Sequence, residues 1–209
     1  MPISSRFVIS SSIILLTIGF LTLLAIVGST AWLSEKSRGY LEESNRSRAL
    51  RTAAVELRSA LQSAESSQRG FLVGGNEIYL APYDAARAQV LAQFESLKLA
   101  LPTSAQNAAM LDRLSKVVTE KVAEMDRTIA SKSDFQDAQA AALFRSNRGK
   151  ALMDEANLFL SSMIRMADDR LEAVLNNQQQ NALLLRLTTI IGGLIIVVVV
   201  GRTTLTLLR

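Results

Sequence analysis

The sequence contains neither cysteine nor histidine. Without cysteine there is no disulfide framework and no thiolate metal site. Without histidine the commonest metal ligand and the commonest general base near neutral pH are missing, and no histidine can accept a phosphoryl group. No phosphate-cradling glycine loop and no carboxylate cluster of metal-ligand type takes their place. The chain is therefore expected to be non-enzymatic, with no cofactor and no bound metal. Proline is scarce, at three residues in 209, and alanine is abundant, which favours long helices over sheet. Acidic residues are absent outside Glu35 to Glu172. Of the 23 Lys and Arg only Arg6, Arg186, Arg202 and Arg209 lie beyond that stretch, leaving 19 basic against 19 acidic side chains within it. The basic balance thus comes from arginines beside apolar segments and implies no nucleic-acid partner.

What the chain has is a matched pair of apolar runs around this neutral stretch. Phe7 to Leu33 contains no charged side chain, and Leu187 to Gly201 is a second such run, flanked by Arg186 and Arg202. About 20 apolar residues cross the hydrocarbon core at ~1.5 Å rise each, so the first run suffices by itself. The second reaches that length when Arg186 or Arg202 snorkels toward the headgroups. Ser29 and Ala31 resemble a signal-peptide cleavage site, but a secretory apolar region is usually ~7–15 residues, so the first run reads as an uncleaved anchor. The lipid bilayer is the first expected partner. Basic residues near the spans do not fix orientation, because the positive-inside rule loses force for translocated segments beyond ~60 residues.

The periodicity between the runs predicts an all-α, antiparallel up-down-up-down four-helix bundle between two transmembrane helices. The first helix carries Leu50, Ala54, Leu57, Leu61, Ala64, Gln68 and Phe71 on one stripe and ends at Gly74-Gly75. The second carries Tyr83, Val90, Phe94, Leu97 and Leu101, tolerates Pro82 near its start and stops at Leu101-Pro102. Thr103 with Gln106 is a capping-box start for the third, which buries Leu111, Leu114, Val118, Val122, Met125 and Ile129. Ser133 with Gln136 offers another box for the fourth, whose stripe is Leu160, Ile164, Ala167, Leu171 and Val174, with Gly149 the place for a kink. Counted from the membrane edges at ~1.5 Å per residue, Gly70 and Gly149 both lie on the order of 55 Å out. The expected organisation is a cytoplasmic N-terminus at 1–6, a first span at 7–33, an extracytoplasmic domain at 34–182 with its recognisable core at about 45–180, a second span at 183–201 and a cytoplasmic stub at 202–209.

The polar group at that shared level is distinctive. Glu65, Gln68, Arg69, Gly70, Phe71 and Leu72 close the first helix, Tyr79 and Leu80 open the second, and Gly149, Lys150, Met153 and Asp154 lie opposite on the fourth. These residues and their order resemble the third type of CHASE domain, over about residues 45 to 180. The resemblance implies an extracytoplasmic four-helix sensor of a bacterial transmembrane receptor such as a sensor histidine kinase, with diguanylate cyclases and chemoreceptors as other hosts. It also implies the bacterial inner membrane, with both termini cytoplasmic, a homodimer, an unknown stimulus or ligand, and a downstream signalling domain or partner protein. The rival expectation is a stand-alone two-span interaction protein that docks on another receptor. For the apex residues two readings stand side by side. In one, Arg69 holds an anionic group of a ligand. In the other, preferred here, Arg69 pairs with Asp154 and Glu65 with Lys150 in an interhelical network that serves packing.

Overall fold

The computed structural model describes residues 5–207, all of it helical apart from short connections. Five α-helices, packed antiparallel, occur among them: α1 (Ser5–Gly74), α2 (Leu80–Ala100), α3 (Ala105–Ser133), α4 (Asp137–Arg145) and α5 (Arg148–Leu207), with a single 3₁₀ turn at Glu77–Tyr79. The chain divides into two compact units, Glu43–Glu172 and a second made of residues 1–42 with 173–209. Both α1 and α5 contribute residues to each unit.

The core of the Glu43–Glu172 unit follows from a strict 4-3 spacing on α1. Leu50, Ala54, Leu57, Leu61, Ala64, Gln68 and Phe71 are all buried, as expected from the sequence. A repeat of seven keeps one seam facing the neighbouring helices, the geometry of knobs-into-holes packing. Tyr83, Val90 and Leu97 of α2, Leu114, Val118 and Met125 of α3, and Leu152, Ala156, Leu160, Met163 and Ala167 of α5 complete one continuous cluster. Each fully buried Leu or Met adds about 1.5–3 kcal/mol by leaving water. The alanines on α1 and α5 keep the seam narrow. Short helix α4 stands outside this cluster and buries Ala140.

The helix ends show why the sequence reading needed adjustment. The α1 C-terminus matches expectation: Gly75 takes φ +61°, and its N–H bonds Phe71 O at 2.8 Å. The α2 terminus also matches, because Leu101 is extended ahead of Pro102. The third helix, however, is capped by Ser104 rather than Thr103, with Ser104 Oγ accepting from Asn107 N at 3.1 Å. Asn107 Nδ2 secures the same corner by donating to Pro102 O at 2.7 Å. The expected box at Ser133 and Gln136 is not used. Ser133 is the last residue of α3, and Gln136 precedes α4 without a side-chain cap bond. Between them Phe135 adopts φ +59° while Phe135 N and Gln136 N bond back to Lys132 O and Ser131 O. The expected kink at Gly149 is instead a full break just before it. Ser146 and Asn147 interrupt the helix, Asn147 at φ +59°, a conformation asparagine tolerates better than most residues. The last helix expected from the sequence is therefore two helices, α4 and α5.

In the other unit, Gly192 of α5 faces Ile26 of α1 so closely that a Cβ there would sit 2.6 Å from Ile26 Cδ1. Gly19 lies near Val199, and Asn181 Nδ2 donates to Tyr40 Oη at 3.1 Å. The two helices approach along this unit through small residues. Each carries a segment long and apolar enough to cross a membrane, by length and composition. Arg209 lies outside the described residues, as does the side chain of Arg6; Arg186 and Arg202 are exposed.

Candidate functional site

At the end of the buried seam in the Glu43–Glu172 unit, three elements converge on a charged layer. α1 supplies Glu65, Gln68 and Arg69, α3 supplies Lys121, Glu124 and Thr128, and α5 supplies Gly149 and Lys150 from its first turn. Lys121 is 1% exposed and donates to Glu65 Oε1 at 2.9 Å, while its Nζ lies 3.6 Å from Glu124 Oε2. A buried ammonium persists only when anions and hydrogen bonds replace its water. Here two carboxylates do so. Arg69 Nη2 approaches the same Glu65 Oε1 from the rim at 3.3 Å, so two cations balance two anions. Thr128 Oγ1 donates to Glu124 O at 2.7 Å and lies 3.3 Å from Glu124 Oε1, holding that side chain in one orientation.

Gly149 makes room for this arrangement. A Cβ there would stand 2.7 Å from Glu124 Oε2 and 3.0 Å from Glu124 Cδ. The carboxylate thus rests on bare backbone in the first turn of α5, where amides lack intrahelical acceptors and the helix dipole favours negative charge. The same principle operates at Gly70, where a Cβ would meet the Tyr79 ring at 2.6 Å. Tyr79 folds over α1 as the chain turns into α2. The charged layer surrounds a cavity of about 100 Å³.

Of the residues singled out by sequence, Glu65, Gln68, Arg69, Gly149 and Lys150 line this cavity together. Gly70 and Tyr79 form their own contact beside it, and Phe71 and Met153 are core. The pairings expected from sequence are not the ones formed. Arg69 pairs with Glu65 one turn back on α1, and Lys150 with Asp154 one turn on along α5, at 2.5 Å. Both are pairs between neighbours on a single helix, the easiest geometry for long side chains on adjacent turns, the second at the surface and the first with Glu65 mostly buried. The interhelical partner of Glu65 is Lys121, and neither Lys121 nor Glu124 was anticipated. The signal was present in the spacing: Leu114, Lys121 and Thr128 are seven apart and all fully buried, so a lysine occupies a seam position of α3.

A second polar contact joins α2 to α3. Tyr83 Oη donates to Asp126 Oδ1 at 2.7 Å, and Arg87 Nε reaches Asp126 Oδ2 at 3.2 Å. Burial, then the bond to the Asp126 carboxylate, raises the Tyr83 phenol far above its ordinary value, and the group stays protonated as a donor. On the outer faces Arg51 pairs with Asp168 at 2.8 Å, so Asp168 lies on an exposed surface.

Residues 40–180 match the CHASE3 domain family, about two thirds of the chain, and the chain belongs to that family. CHASE3 domains are extracytoplasmic, non-catalytic sensor modules. The crystal structure of the sensor domain of histidine kinase HK9 from Rhodopseudomonas palustris is similar to this chain, with a TM-score of 0.55 at 25% identity. That likeness covers 60% of this chain and 98% of the HK9 domain. No curated protein sequence matches the chain.

Proposed function

We propose that the chain is the extracytoplasmic sensory input and transmembrane signal-transmission module of a bacterial receptor, the N-terminal part of a sensor histidine kinase. The observation that carries this reading is CHASE3 membership over residues 40–180, joined to similarity with a histidine kinase sensor domain along nearly its whole length. The segments 7–33 and 183–201 are then the membrane spans of an inner-membrane protein with both termini in the cytoplasm. Trp32 supports this placement. Lys36 Nζ lies 4.9 Å from its ring centroid, an aromatic and a cation at the end of an apolar run, as is common at membrane interfaces.

The mechanism rests on α1 and α5, which supply both the apolar segments and two sides of the sensor core. A stimulus that contacts one packing of the helices better than another shifts the balance between them. The shift leaves the domain as piston, tilt or rotation of α1 and α5 in a homodimer and reaches a downstream output domain through the second span. The buried Glu65–Lys121 pair serves packing in this scheme, because a buried charge pair has only one well-paired arrangement.

The cysteine-free sequence makes the test direct. Cysteines placed singly at Ser34 or Ser37 in the full chain should give disulfide-linked dimers in native membranes, in a yield that changes with growth condition. A Ser34 or Ser37 pattern that stays constant under every condition would remove the support for signal transmission.

A further inference from the structure

The charged layer leaves two of its own polar atoms without a hydrogen bond. Gln68 Nε2 and Glu124 Oε2 are buried and have no protein hydrogen-bond partner, and their residues are 2% and 6% exposed. Both side chains line the 100 Å³ cavity. Buried polar atoms are nearly always satisfied, and orphaning one is costly, so an unmatched donor and an unmatched acceptor around one cavity call for an occupant. Lys121 does not fill this need for Glu124, because its hydrogen bond goes to Glu65 and it stands 3.6 Å from Glu124 Oε2.

The lining states what the occupant must carry. A simple anion would meet the unmatched Glu124 carboxylate oxygen. A simple cation would meet Lys121, Arg69 and Lys150. A molecule with both charges a few ångströms apart satisfies both sides. Its ammonium donates to Glu124 Oε2, and its carboxylate accepts from Gln68 Nε2 and the Arg69 guanidinium on the α1 side of the cavity. The volume limits its size. A cavity of ~150 Å³ takes the six carbons of benzene, so 100 Å³ encloses about four non-hydrogen atoms in proportion, and the exposed rim at Arg69 and Lys150 leaves room for one or two more. We propose that this cavity binds a small zwitterionic α-amino acid of the size of glycine or alanine. The proposal rests on the sensor reading and gives that sensor a ligand class and an address.

The test is calorimetric titration and thermal shift of the full chain in lipid nanodiscs. Glycine and alanine should give saturable heats and raise Tm, whereas leucine, acetate and methylammonium should do neither at equal concentration. Arg69→Gln should weaken glycine binding at least tenfold while lowering the ligand-free Tm only slightly, since Arg69 is half exposed and Lys121 stays paired with Glu65. Glu124→Gln should abolish the preference for glycine over acetate. No heat and no Tm shift with glycine or alanine overturns the proposal. So does acetate binding as well as glycine, which would mark an anion site, or leucine binding as well, which would place the ligand elsewhere. Any of these results leaves the sensor reading intact, because the crosslinking test involves no ligand.

Discussion

Replacing Lys121 with methionine isolates the worth of the buried charge layer. Methionine keeps the length and most of the apolar stem of lysine but removes the ammonium, leaving Glu65 and Glu124 to face each other across the seam. Breaking a buried pair by removing one partner typically costs about 3–5 kcal/mol. Glu65 keeps Arg69 at 3.3 Å and retains some contact with solvent, so the lower end, about 3 kcal/mol, is expected for Lys121→Met. For the unit Glu43–Glu172, unfolding entropy near ~2.1 cal/mol/K per residue converts this to a Tm lowered by about 10 °C. The measurement is thermal unfolding of the full chain in nanodiscs, followed by far-UV circular dichroism. Adding Glu124→Gln to Lys121→Met should recover a substantial part of the loss, because the uncompensated buried charge is then gone. A loss below about 1 kcal/mol for Lys121→Met, or no recovery in the double variant, would refute the claim that these charges are paired and dry.

Gly70→Ala should destabilise the unit by about 1 kcal/mol, as overlap with the Tyr79 ring outweighs the helix-propensity gain of alanine; in a Tyr79→Ala background the same change should stabilise instead, which a double-mutant cycle of Tm values reads directly. Tyr83→Phe should cost about 1.5–3 kcal/mol by denaturant melting, the range for a hydrogen bond to a charged group. It should also alter the alkaline limb of stability. The folded-state phenol is raised above its unfolded value of 10.0, so its contribution is complete below pH 10 and falls as pH rises further, when only the unfolded chain loses the proton. Above that point the wild type should lose up to about 1.4 kcal/mol per pH unit from this group, and Tyr83→Phe should lack that component.

Much of the helical framework was legible because it rests on one-dimensional patterns. The α1 stripe from Leu50 to Phe71 is buried at every expected position, and the glycine and proline stops at Gly75 and Leu101-Pro102 act where local sterics require them. The misplaced caps differ in kind. Thr103 and Ser104 are chemically equivalent caps one residue apart, and the choice between them is made by Asn107 reaching back to Pro102 O, a contact no period encodes. The break at Ser146-Asn147 was hidden because asparagine is a weaker stop signal than the adjacent Gly149, whose absent side chain serves Glu124 instead. The same limit applied to the site. Its α1 and α5 members stood out as a cluster of unusual residues, but their pairing runs through α3, where only the seven-residue register with Leu114 and Thr128 marks Lys121 as a seam position.

The Tyr79 ring over Gly70 also bears on the order in which the chain assembles. That contact closes a loop of roughly ten residues around Gly75, among the fastest and least costly closures a helical chain can make. The contacts that tie α1 to α5 are far more remote: Arg51 and Asp168 are 117 residues apart, and Arg58 and Ser161 are 103 apart. The α1–α2 hairpin is therefore positioned to form while the later helices are still being synthesised, with α5 docking last onto a preformed groove. Substitutions at Gly70 or Tyr79 should accordingly slow folding, whereas loss of the Arg51–Asp168 pair should act mainly on the rate of unfolding.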